Sequence, residues 1–426
     1  MKKIGLDLLA WGCAAVCSVA VLLSETDPGP RRGPASSGLP LAGISTSELS
    51  YFNQGKDAFN EVDRVENGLG PRFNLDGCAG CHSHPGIGGA SPAINPQIAM
   101  ASKEGALNQV PAFLREDGPI RVVRFRRRPD GTPDGGVHSL FVISGRSDAP
   151  SGCNIQQPDF SRVENLAFRI PTPLFGLGMI EAILDSTIRA NLDSNRQQKR
   201  LMGITGRLNT NANDGTVTRY GWKAQNKSLA IFAGEAYNVE VGVTNEMFPQ
   251  ERDESPECLT KASPEDHMNV ENGTPSDTQL FTFFIRYLAA PEPTATSETI
   301  DRGRAVFASI GCSFCHTPAL RTGRPGTAAL NDRDVPLYSD LALHRMGQAL
   351  DDGITQGLAQ GQDWRTAPLW GLADRIFLLH DGRTKDLGEA IRFHDSPGSE
   401  AHSVVANYGA LPSEQKQDLL NFLRSL

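Results

Sequence analysis

Two short stretches carry the residue types that do redox chemistry. Gly77-Cys78-Ala79-Gly80-Cys81-His82 and Gly311-Cys312-Ser313-Phe314-Cys315-His316 both read C-x-x-C-H. That is the attachment pattern of c-type haem: two thiols add to the porphyrin vinyl groups and the adjacent His ligates the iron. The spacing has a steric reason. One tight helical turn must set both sulfurs along one porphyrin edge and swing the imidazole beneath the metal. A free thiol pair, a disulfide or a zinc knuckle with an accidental His would read the same over five residues. Zinc would want a second ligand pair close by, and neither copy has one. At this chain's Cys and His frequencies, a chance match is expected in roughly a few chains per thousand. Two matches therefore point to two covalent haems, held by Cys78, Cys81, Cys312 and Cys315, with His82 and His316 as proximal iron ligands.

Such motifs need helices on either side. Before the first, residues 47–65 place Tyr51, Phe52, Ala58, Phe59 and Val62 near one helical face. Before the second, residues 298–309 do the same with Ile300, Val306 and Phe307. Closing helices are expected over 279–289 and over 413–426, where Leu419, Leu420, Leu423 and Leu426 have helical spacing. Between 118 and 145 the pattern is that of a β-hairpin, with strands at 120–125 and 137–144 and a Pro/Gly turn. Its first strand carries Arg121, Arg124, Arg126, Arg127 and Arg128, which read as a solvated edge or as contacts to haem propionates or an anionic partner. The expected fold is mainly α: two cytochrome c-like haem domains from a degenerate duplication, the first enlarged by insertions. We place a signal peptide or N-terminal anchor at 1–23, a linker at 24–45, the enlarged N-terminal domain at 46–290, a linker at 291–299 and the C-terminal domain at 300–426.

The leader has Lys2 and Lys3 followed by an uncharged run, with small residues suited to cleavage after Ala20. Cleaved or retained, it directs the body to the periplasm or another exported location, where c-type haem is attached; membrane association is expected only if it is retained. The net charge of −8 argues against a nucleic-acid partner. Cys13 and Cys17 lie in the leader and four cysteines belong to the motifs. Cys153 and Cys258 remain, either as one disulfide or as two separate thiols.

The two halves echo each other beyond the motifs. Gly55-Lys56-Asp57-Ala58-Phe59 answers Gly303-Arg304-Ala305-Val306-Phe307, and Thr172-Pro173-Leu174-Phe175-Gly176 answers Ala367-Pro368-Leu369-Trp370-Gly371. Glu181-Ala182-Ile183 answers Glu389-Ala390-Ile391, and there the copies differ: Ser186 stands where the second has His394. If His394 reaches its iron from the far side, the second haem is bis-His and closed, whereas the first keeps an open position. A closed iron passes electrons and an open one can bind peroxide or oxygen. His344 and Met346 are alternative ligands for the second iron. His84 points the wrong way to close the first, His402 and His267 are expected at the surface, His138 in a structural role, and His380 as the organiser of a turn or of the haem pocket.

With these residues in hand, the chain resembles the di-haem oxidoreductase family of peroxidases, relatives of bacterial di-haem cytochrome c peroxidases and of MauG. The resemblance spans roughly residues 50–426. It is carried by Cys78 to His82 running on to Gly89, by Ile143 to Arg146, by Pro173 to Gly178 with Glu181 to Ile183, and by Gly221 to Ala224. Arg365 to Gly371 and His380-Asp381-Gly382-Arg383 complete it. In those peroxidases a His-Asp-Gly segment precedes the distal ligand of the second haem by fourteen residues, which here falls on His394. The resemblance implies peroxide reduction at an open first haem, fed through the second by an external donor such as a small cytochrome or cupredoxin. The family's Trp-Asp-Gly-Arg segment is missing, so Glu181 is the candidate acid/base and Trp222 or Trp370 the candidate relay. A pure electron-transfer cytochrome and a haem-based sensor are the alternatives.

Overall fold

The computed structural model describes residues 25–31, 37–250, 255–259 and 264–426; the expected leader and part of the 24–45 linker lie outside them. Helix α1 (Thr46–Phe59) starts at a capping box, in which Ser45 and Glu48 satisfy each other's backbone N–H groups. It ends six residues before the sequence pattern suggested, because the chain turns at Asn60 to run Asp63 beside Asp76. Short helices α2 (Leu177–Glu181) and α3 (Asp185–Asp193) lead to α4 (Leu229–Ala236), which is continuous with a π-helical turn, Tyr237–Val241. Helix α5 (Asp277–Tyr287) also opens on a capping box, from Ser276 and Gln279. In the second half, α6 (Glu298–Ser309) is capped by Ser297, α7 (Leu387–Phe393) by Asp386, and α8 (Ser413–Leu423) closes the chain.

The helix pairs α1/α5 and α6/α8 are built alike. α1 packs along α5 and α6 along α8. Gly55 sits where α1 crosses α5, and a β-carbon there would overlap the Leu280 carbonyl oxygen; Gly303 sits in the same way against the Asp418 carbonyl oxygen of α8. Four residues later, one helical turn on, the same face presents an aromatic ring to the haem motif. The Phe59 ring lies 6.1 Å from that of His82, and the Phe307 ring 6.3 Å from that of His316. Glycine lets the helices close and phenylalanine reaches past them to the imidazole.

The strands are few and short. β1 (Val122–Phe125) pairs with β2 (Val137–His138), as the hairpin pattern predicts, but it pairs over its whole length with β3 (Leu166–Arg169), giving a three-stranded antiparallel sheet. The expected second strand is broken: Phe141 and Val142 pair instead with Arg72 and Phe73. Alternation alone does not distinguish these partners, since both bury the same face. β4 (Leu343–Arg345) pairs with β5 (Asp363–Arg365) in the second half. Of the two large apolar clusters, one runs from Phe52 through Phe141 and Phe284 to Trp370, and the smaller gathers Phe307, Leu378, Leu419 and Phe422. Cys153 and Cys258 form a disulfide across a separation of 105 residues. Among the described residues no helix is long and apolar enough to cross a membrane.

Candidate haem sites

Each C-x-x-C-H motif opens onto a cavity of its own. Cys78, Cys81 and His82 wall the first, with Phe59, Phe232, Phe281 and Ile285 around them; it encloses about 1000 Å³ unfilled by protein atoms, open mouth included. Cys312, Cys315 and His316 wall the second, of about 1530 Å³, with Phe307, Leu378, Leu419 and Leu423. Both are largely apolar, as a buried tetrapyrrole requires.

The imidazoles are oriented for a metal. His82 Nδ1 lies 3.0 Å from the Gly89 carbonyl oxygen, His316 Nδ1 3.0 Å from that of Tyr338 and His394 Nδ1 2.7 Å from that of Ala390. Donation from Nδ1–H fixes the tautomer and leaves Nε2 as the lone-pair nitrogen, the arrangement usual for an iron-ligating His. Burial lowers the pKa of all three, to about 4 for His82 and His316, so each stays neutral. Burial pushes the Cys78, Cys81 and Cys312 thiols up, Cys312 to about 12. Among the described residues no group of three or more His, Cys, Asp or Glu side chains gathers as a metal site.

The cavities differ in what faces their motif. His394, at the end of α7, walls the second cavity together with His316. His344 and Met346 wall it too, but His344 Nε2 meets Asp340 and its Nδ1 meets Glu400, both at 2.9 Å. Burial opposes the charge on that ring; the neighbouring Cys315 sulfur and Asp340 outweigh it and raise its pKa, so both nitrogens are committed to hydrogen bonds. In the first cavity, among the described residues, His82 is the only imidazole in the wall and no Met or Tyr lines it. Ser186 is exposed at the start of α3 and does not reach it.

Glu181 is not in either wall. Its Oε2 accepts from Arg286 Nε at 2.7 Å, and its Oε1 accepts from the Leu229 backbone N–H at the start of α4. Gln225 and Glu240 face the first cavity instead. Glu240 is placed there by the π-helical turn, and its Oε2 accepts from Asn74 Nδ2 at 2.7 Å. Residue spacing gave no signal for either: the π turn alters the helical register at Glu240, and Gln225 lies in the loop before α4.

Buried arginines also escaped the sequence reading, apart from Arg124. Arg124 walls the first cavity; its Nη1 donates to the Gly135 carbonyl oxygen at 2.6 Å and its Nε has no partner. Arg121, by contrast, donates to the Asp381 carbonyl oxygen, Arg126 to those of Asp352 and Glu164, and Arg127 to that of Gly131. Arg365 and Arg375 wall the second cavity, and burial lowers both to about 10. Among the described residues Arg124, Arg365 and Arg375 donate to carbonyl oxygens and form no ion pair. A buried cation without a counter-ion is costly, and a ligand bearing carboxylates relieves it. Haem, with two propionates, fits both cavities on this ground as well as on their shape.

One wall is shared. Ile170, Pro171 and Trp222 line both cavities, and Trp222 Nε1 donates to the Ile170 carbonyl oxygen at 2.8 Å. Trp222 stands edge-on to His380, 6.5 Å between rings, and His380 stacks on Trp364 at 3.7 Å. Trp370 lines neither cavity.

Mainly helical architecture and two apolar cavities, each opened by C-x-x-C-H, define a protein made to hold a pair of haems. The chain belongs to the di-haem oxidoreductase family: the family model described as "Di-haem oxidoreductase, putative peroxidase" matches residues 138–426. No match was found among curated proteins. Among solved structures it is similar to hydrazine synthase from Kuenenia stuttgartiensis, at 12% identity over 100% of both chains and a TM-score of 0.33. A MauG-like protein associated with microbial copper homeostasis matches at 16% identity, covering 65% of this chain and 95% of that one, with a TM-score of 0.29. The diheme peroxidase BthA of Burkholderia thailandensis matches at 14% identity, covering 72% and 93%, with a TM-score of 0.31.

Proposed function

We propose that the chain is an exported c-type cytochrome that reduces peroxide at its first haem with electrons received through its second. The observation that carries this reading is the asymmetry of the cavities: His316 and His394 wall one, whereas among the described residues His82 is the lone imidazole of the other. In this reading thioether bonds from Cys78 and Cys81, and from Cys312 and Cys315, hold the two groups. Bound there, a haem supplies an iron that exchanges electrons and, where one axial position is open, binds a small oxidant.

The chain's own side chains do the rest. Gly89 O, by accepting from His82 Nδ1–H, makes that imidazole a stronger donor through Nε2. Glu240 and Gln225 stand in the first wall, where a carboxylate receives and returns a proton and an amide orients the oxygen that carries it. That role passes to Glu240 from Glu181, whose carboxylate is taken up by Arg286. Arg124 neutralises propionate charge, and the apolar rings of Phe59, Phe232 and Phe281 keep bulk water out. Trp222, an aromatic residue common to both walls, serves as the relay.

The test starts with a haem count, then peroxide consumption by the reduced holoprotein. Two covalent haems per chain are expected, one low-spin and one high-spin or convertible to it. His394→Ala should turn one low-spin signal high-spin and leave the other unchanged. Two low-spin haems in every redox state, with no response to peroxide, would return the chain to the electron-carrier class.

A further inference from the structure

The first cavity has a second ring of polar chemistry behind its aromatic wall. Tyr237 opens the π-helical turn in which Glu240 and Val241 line the cavity; Tyr237 itself is buried and is not part of the cavity wall. Its ring meets that of Phe281 edge-on, with centroids 5.0 Å apart, and Phe281 walls the cavity beside Phe59. The phenol donates to Asp63 Oδ1 at 3.3 Å. Asp63 is 6% exposed, its carboxylate has no ion-pair partner among the described residues, and Tyr237 is the side chain that binds it.

We propose that Tyr237, with Asp63 as its proton acceptor, is a proton-coupled oxidation site one aromatic ring from the first haem cavity. The inference rests on the peroxidase reading for its oxidant, a peroxide. As peroxide is reduced to water at the first haem, one of the electrons it takes is drawn from Tyr237. The phenol O–H bond breaks, its proton forms an O–H bond on Asp63, and a neutral phenoxyl remains. A one-electron donor later refills the phenoxyl as Asp63 returns the proton. A phenol loses an electron at accessible potentials only if its proton leaves with it, so a buried base at hydrogen-bond distance is what the step requires. A purely structural tyrosine needs no such base: a backbone carbonyl would satisfy it, as Leu177 O satisfies Tyr220.

The surroundings suit a base that works near neutrality. Burial first, then the charge of Glu61, raises Asp63 to about 7, against the opposing hydrogen bond from Tyr237; Asp277 and Asp76 add to the rise. Cys78 also faces it from the haem motif. Below that value Asp63 is protonated and cannot accept.

The experiment is flash-quench photo-oxidation of the ferric holoprotein with a ruthenium polypyridyl complex, followed by peroxide addition, both read by freeze-quench EPR. A tyrosyl signal, shifted by ring-deuterated tyrosine, is expected in both. Tyr237→Phe should lower it at least tenfold, Tyr220→Phe should leave it, and Asp63→Asn should cut its yield several-fold while haem absorption stays unchanged. The yield should also fall as pH drops from 8 to 6. A photo-induced signal that survives in Tyr237→Phe, or no tyrosyl signal at all, overturns the proposal whatever peroxide does. A Tyr237 signal under light with no consumption of peroxide upholds the site and overturns the peroxidase reading instead.

Discussion

Substituting Asp352 by Asn should destabilise the folded protein by roughly 3–5 kcal/mol at pH 7, the cost of leaving buried cations unpaired. Asp352 is the carboxylate that pairs with two of them. Its Oδ2 is 2.7 Å from Arg169 Nη2 and its Oδ1 3.2 Å from Lys223 Nζ, with all three side chains at most 4% exposed. Burial alone would raise Asp352; Arg169 and Lys223 outweigh it and hold its pKa lowered. Lys223 is lowered to about 8 by burial, against the pull of Asp352. Asparagine keeps the shape and removes the charge, so Lys223 should fall further and shed its proton near neutrality. An unfolded Lys titrates near 10.4, so between the two values the unfolded chain binds the extra proton and stability rises with pH. The variant should therefore recover by up to about 1.4 kcal/mol per pH unit between pH 7 and 9. Urea titration of the holoprotein followed by far-ultraviolet circular dichroism measures both quantities. A loss under about 1 kcal/mol, or one that stays constant with pH, would show that water reaches these charges and that the reasoning is wrong. The same variant loosens the second cavity, because Lys223 Nζ sits 3.9 Å from the centre of the Trp364 ring, which His380 stacks against.

Other outcomes follow from single contacts. Gly303→Ala should cost about 1–3 kcal/mol by forcing α6 off α8, and Gly55→Ala a similar amount between α1 and α5, both read as shifts in denaturation midpoint. Replacing Cys153 and Cys258 by Ser opens a 105-residue loop and should lower stability by about 2–5 kcal/mol under oxidising conditions, with no loss under reducing ones.

The haem motifs were legible because their chemistry is local: five residues contain the thiols, the turn and the ligand. His394 was singled out through the repeat and, in the family resemblance, through its spacing from His380; the structure places it in the wall of the cavity that His316 also lines. Gly55 and Gly303 were visible as matching letters, but their reason, a helix crossing too close for a side chain, appears only in three dimensions. Glu240 and Gln225 were not legible, since a π turn and a tight loop aim them. Arg365 and Arg375 were equally hidden. In sequence they resemble the exposed Arg127 and Arg128, and only the apolar side chains packed around them make them buried cations. Glu181 attracted notice through its place in the repeat, yet Arg286 on α5 takes its carboxylate, a partner 105 residues away.

The shared wall bears on how separable the two halves are. Ala90, Ile170, Pro171, Pro173 and Trp222, all from the first half, complete the second cavity, and the Ile170 backbone N–H donates to the His380 carbonyl oxygen. A fragment beginning near residue 300 would carry its whole C-x-x-C-H motif and still leave one flank of its cavity open to solvent. During synthesis the second motif emerges after the first half, so its pocket is completed against residues that have already been made. The second cavity is therefore a product of both halves, closed only when residues from each are in place.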